Sequence, residues 1–95
     1  WREAALGGAA ALGQPVGEIA PGRAADLIVL DPDHPSLAGH GDDTALDAWV
    51  FATMSSALKE VTVAGRRIVE AGRHPRREAV AAAYRAAIDG VRRRL

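Results

Sequence analysis

The chain has 95 residues, 48% of them hydrophobic and 25% charged, with twelve Lys and Arg balanced by twelve Asp and Glu. That length suits one small domain with a modest core, and the zero net charge points to neither nucleic acid nor an anionic membrane surface. With no cysteine, disulfides, thiolate metal sites and cysteine nucleophiles are excluded, and no apolar run approaches the roughly 18 residues of a membrane span.

Cysteine usage fits a cytoplasmic protein, and no secretory signal pattern is visible. Aromatics are scarce and alanine abundant, so the core is expected from small and aliphatic side chains. The chain opens at Trp1 without an initiator Met, and a piece of a longer protein is expected.

WREAALGGAAALG, residues 1–13, is predicted helical, with Gly13 and then Pro15 as a stop signal. Gly7 and Gly8 within it each cost about 1 kcal/mol relative to alanine. Such a helix is expected where backbones approach closely, as against the outside of a packed sheet. QPVGEIAPGRA follows as an extended, turn-rich segment in which Val16 and Ile19 could anchor a short strand. Pro21-Gly22 suits the centre of a type II turn, where Pro presets φ and Gly accepts a positive one.

ADLIVLD, residues 25–31, is too short for a helix and too uniformly apolar for a strand with one wet face. It reads as a strand buried on both sides, which demands neighbours on both. DPDHPSLAGHGDDT, residues 31–44, reads as a loop, and LDAWVFATM, residues 46–54, as a short helix. VTVAGRRIV, residues 61–69, is the clearest hairpin, with Ala64-Gly65 at the turn and a second break at Ala71-Gly72. Residues 75–95 carry Val80, Tyr84, Ala87, Ile88, Val91 and Leu95 at helical spacing behind Pro75, the expected first helical residue. Arg92, Arg93 and Arg94 crowd the end where cations complement the helix dipole. These strands are too few to close a sandwich or barrel, so part of a domain is expected elsewhere.

Candidate chemistry is sparse. His34, His40 and His74 lack any HxH or HExxH spacing, and two of them precede proline in turns, so joint metal binding is not expected. Asp31, Asp33, Asp42, Asp43 and Asp47 fail the EF-hand register, and Asp31-Pro32-Asp33 is more simply a turn. Ser36, Ser55 and Ser56 lie on no G-x-S-x-G elbow, and the glycines at 7, 8 and 13 form no phosphate loop. Asp26 has no visible catalytic partner. A carboxylate opening a strand is expected to accept hydrogen bonds from a turn or to pair with an arginine such as Arg23.

GEIAPGRAADLIVLD at 17–31, followed about thirty residues later by VTVAGRRIVEAG, resembles the C-terminal signature of the amidohydrolase superfamily. HPSLAG at 34–39, the WVFAT segment and HPRREA at 74–79 make it similar to the formimidoylglutamate deiminase branch. The resemblance implies an α+β fold: a partial small β-sandwich, of strands plus a β-hairpin, flanked by an N-terminal helix and a C-terminal amphipathic helix. It would be a fragment of a (β/α)8-barrel amidohydrolase. Residues 1–13 would be the last barrel helix, 14–74 the C-terminal part of a sandwich built jointly from both chain termini, and 75–95 a terminal helix.

The implied parent hydrolyses N-formimino-L-glutamate to N-formyl-L-glutamate and ammonia, with zinc or a similar divalent ion lowering the pKa of bound water to near 7. The implied ligands, an HxH pair, a later histidine and an aspartate, all precede Trp1. No catalytic, cofactor-binding or metal residue is therefore expected in this chain, and it should be inactive alone. The implied partners are a small-molecule substrate of the parent and further copies of the same protein, with no nucleic acid and no membrane. A guanine or triazine deaminase would share the strand and hairpin. A stand-alone β-rich interaction module would instead fold as a cooperative unit.

Overall fold

The computed structural model describes residues 1–52 and 56–95, which form an α+β arrangement. In chain order come α1 (Arg2–Leu12), β1 (Leu27–Leu30), a 3-10 turn (Pro35–Leu37), α2 (Asp42–Phe51), β2 (Leu58–Val63), β3 (Arg66–Val69) and α3 (Arg77–Arg92).

The local signals act as elementary conformational rules require. Gly13 ends α1 in the left-handed region at φ 62°, and its N–H reaches back to the carbonyls of Ala9 and Ala10. Pro21-Gly22 forms the expected type II turn: the Arg23 N–H donates to the Ala20 carbonyl at 3.2 Å, with Gly22 at φ 82°. Ala64 and Gly65 both take positive φ, 50° and 76°, the pair that a two-residue type I′ hairpin turn needs. Ala71 and Gly72 repeat that pair, and a single bridge joins Glu70 to Arg73 beyond them.

The sheet is antiparallel in the order β1-β2-β3. Leu27 stands opposite Thr62, Ile28 opposite Val61 and Val29 opposite Glu60. Val61 in turn faces Val69, so Ile28, Val61 and Val69 form one apolar row across the three strands. One irregularity interrupts each pairing, between Val29 and Leu30 and between Val61 and Thr62.

Five expectations are corrected. Val16 and Ile19 form no strand: residues 14–26 are irregular and Ile19 is 90% exposed. Pro15 and Pro21 withhold two ladder donors from that stretch. β1 is a strand, but within this chain it is not buried on both faces, since Leu27, Ile28 and Val29 are exposed. A three-stranded sheet has two faces and two edges, and no described element of the chain covers them fully. The 31–44 loop holds a 3-10 turn, and α2 begins already at Asp42. Pro75 lies two residues ahead of α3 instead of at its first position. The expected helix over 46–54 ends at Phe51, and Thr53 and Met54 lie outside the described residues.

The buried core is small. Among the described residues Ala9, Leu37, Ala48 and Ala57 are buried, and Leu30 and Trp49 pack on the last three. Trp1 meets Trp49 with ring centroids 4.6 Å apart, a tilted contact that ties the start of α1 to α2. Gly17 passes against α1 so closely that a Cβ there would sit 2.8 Å from the Ala5 carbonyl oxygen and 2.9 Å from the Ala9 Cβ. Gly7 and Gly8 have no such neighbour within this chain: a Cβ at either would meet nothing within 4 Å.

Candidate functional site

Asp26, the acid that opens β1, accepts a 2.7 Å hydrogen bond from the Ala64 N–H. The neighbouring Gly65 N–H donates to the Ala25 carbonyl at 3.0 Å. Two contacts thus pin the β2–β3 turn to the chain just ahead of β1, closing the open end of the three-stranded ladder. Arg23 is engaged elsewhere, on Glu18 at 2.8 Å. Of the two partners foreseen for Asp26, the turn is the one observed. The Asp26 carboxylate on this exposed edge thus fixes a turn, and among the described residues it belongs to no group of three or more His, Cys, Asp or Glu.

The histidines share another local device. The His34 Nδ1 accepts the Ser36 N–H at 3.2 Å, and the His74 Nδ1 accepts the Arg76 N–H at 3.1 Å. In both cases His-Pro-X folds the ring back over the amide two residues on, which requires Nδ1 unprotonated in that contact. His40 Nδ1 lies 3.3 Å from Thr44 Oγ1. The Asp31 carboxylate accepts the Asp33 N–H at 3.1 Å, the side-chain-closed turn read from the sequence. Ser56 Oγ accepts the Leu58 N–H at 3.3 Å. Ser55 and the side chain of Asp43 lie outside the described residues. Among the described residues no group of three or more His, Cys, Asp or Glu converges as a metal site would require.

Two concavities stand out among the described residues. A cleft of about 470 Å³ lies between β3 and the start of α3, and its charges answer one another: Arg67 binds Glu70 at 3.1 Å, and Arg73 binds Glu78. A larger groove of about 760 Å³ runs between α1, the 16–19 segment and the sheet. Trp1, Val16, Ile19, Ile28, Val61 and Val63 make it largely apolar. Arg2, Glu18, Asp26 and Thr62 supply its polar lining. Sequence reasoning missed the Trp1–Trp49 contact and the role of Gly17; spacing carries no signal for either.

What the residues do together is brace a sheet, and their pattern is a shared one. The sequence pattern of the amidohydrolase family matches residues 2–68, more than half of the chain. The chain belongs to the amidohydrolase family. Within it, the chain is 49% identical over 83 residues to formimidoylglutamate deiminase of Pseudomonas aeruginosa. That match takes in 86% of this chain and 18% of the relative, so the chain spans about a fifth of the length of the curated amidohydrolase it matches. The family match runs from α1 through the strand opened by Asp26 to the hairpin, ending ahead of α3. Amidohydrolases generally use a divalent metal, and the described residues of this segment do not fit one.

Proposed function

We propose that the chain is the C-terminal segment of a metal-dependent deiminase that hydrolyses N-formimino-L-glutamate to N-formyl-L-glutamate and ammonia, a step of histidine breakdown, in the cytoplasm. The observation carrying this reading is the 49% identity over 83 residues to a formimidoylglutamate deiminase. In the parent, a zinc or similar ion and the acid–base residues belong to the barrel. This segment finishes the fold and does not touch substrate.

On this reading residues 1–13 are the last barrel helix, 14–74 complete a β-sandwich shared with the other end of the polypeptide, and 75–95 form a terminal helix. The bare faces of β1 and the 760 Å³ apolar groove support it, because both demand a covering layer. A buried core of four residues among those described argues against a self-sufficient interaction module.

The test uses the full-length protein carrying this segment. Ammonia release from N-formimino-L-glutamate, with N-formyl-L-glutamate formed in equal amount and none from guanine, is the expected result. Release from guanine alone would assign a guanine deaminase, and release from neither would remove the deiminase reading.

A further inference from the structure

The cleft of about 470 Å³ between β3 and the start of α3 is lined by more hydrogen-bonding capacity than its own ion pairs use. Arg67 meets Glu70 through Nη1 and Glu60, at 3.6 Å, through Nε, which leaves Nη2 without a partner among the described residues. Arg73 meets Glu78 through Nη2, which leaves Nε and Nη1. Glu70 and Glu78 each spend only Oε1 on these arginines, so each keeps Oε2 as an acceptor. His74 adds a donor. Its Nδ1 accepts the Arg76 N–H, so the neutral ring carries its proton on Nε2.

The backbone that carries these groups is held in place. Glu70 and Arg73 exchange amide hydrogen bonds of 3.1 and 2.8 Å across the Ala71-Gly72 turn, and the Gly72 N–H donates to the Lys59 carbonyl at 2.9 Å. The Arg77 N–H donates to the His74 carbonyl at 3.0 Å. Ile68 and Pro75 add an apolar part to the lining. Most of the lining lies past residue 68, where the family match ends, so the family pattern does not account for it.

We propose that this cleft binds a free α-amino acid with an apolar side chain. The balance of charge selects a zwitterion. Two guanidinium groups and two carboxylates line the cleft, so a simple anion would meet unpaired glutamates and a simple amine unpaired arginines. The carboxylate of an amino acid takes the spare N–H groups of Arg67, Arg73 and His74, in the planar pairing that guanidinium favours. Its ammonium takes the Oε2 oxygens of Glu70 and Glu78, and its side chain lies on Ile68 and Pro75. Exposed ion pairs hold their partners weakly, so these side chains turn towards a ligand at little cost. The volume falls within the roughly 300–1,000 Å³ of small-molecule sites. The proposal does not depend on the deiminase reading.

The test is calorimetric titration of the full-length protein carrying this segment, with L-leucine as the probe. One saturable site per chain is expected. N-acetyl-L-leucine, which lacks the ammonium, and isoamylamine, which lacks the carboxylate, should each bind about tenfold more weakly or worse. Arg73→Met, and separately the double variant Glu70→Gln with Glu78→Gln, should each weaken L-leucine by about tenfold. No saturable binding of L-leucine, equal binding of the three ligands, tighter binding of inorganic phosphate than of L-leucine, or an unchanged L-leucine affinity in either variant would each overturn the proposal.

Discussion

Asp26 and Gly17 show how single residues hold this segment together. The carboxylate of Asp26 fixes the Ala64 amide 38 positions away. Its replacement by alanine removes one exposed charge-assisted bond, a loss of about 1 kcal/mol. Hydrogen exchange at the Ala64 amide of Asp26→Ala should therefore quicken about fivefold. Ammonia release by the full-length protein bearing the same change should stay within about twofold of normal; a hundredfold fall would place Asp26 in the chemistry instead. Gly17 sits at φ 95° with α1 against it. Gly17→Ala meets both an unfavourable φ and a backbone oxygen, and is expected to cost about 2–3 kcal/mol, read as an early loss of α1 helicity on heating.

At the scale of elements, α1 makes the sharper prediction. Glycines in a helix interior cost about 1 kcal/mol each against alanine, and within this chain nothing approaches Gly7 or Gly8 to explain them. Gly7→Ala and Gly8→Ala should therefore raise the helical circular dichroism of the isolated chain. If α1 is the last barrel helix, with backbone packed over those glycines, the same changes should destabilise the full-length protein by 1 kcal/mol or more. Stabilisation in both settings would remove α1 from a packed barrel wall.

Elements governed by nearest neighbours were legible in the sequence: the Gly13 stop, the Pro21-Gly22 turn, the Ala64-Gly65 hairpin and the register of apolar residues along α3. The Asp31 turn belongs with them, whereas the turn foreseen for Asp26 is the β2–β3 turn, 38 residues away. What spacing did not show depends on contacts between distant residues. Trp1 on Trp49 and Gly17 on Ala5 and Ala9 are of this kind. The burial of β1 was over-read because four apolar residues in a row report what a strand needs, and the chain supplies only part of the cover. No constellation was legible for a candidate site: His34, His74, Asp31 and Ser56 each accept a backbone amide two residues on, and Asp47 and Asp89 lie within helices.

For the whole molecule, area and size tell one story. The chain exposes 7669 Å², whereas a compact monomer of its 9.9 kDa would expose about 5,200 Å². Its radius of gyration is 16.9 Å, against about 12.4 Å for a compact domain of this length. The surplus of roughly 2,500 Å² is about three times what one partner contributes to an ordinary interface. Covering the sheet, the groove beside Trp1 and the apolar residues of α3 thus calls for domain-like packing as well as any contact between copies. Thermal unfolding of the isolated 95-residue chain, followed at several concentrations, tests this most directly. The account predicts a broad transition whose midpoint rises with concentration. A single sharp transition, independent of concentration and with an enthalpy near the roughly 65 kcal/mol of a cooperative domain this size, would contradict it.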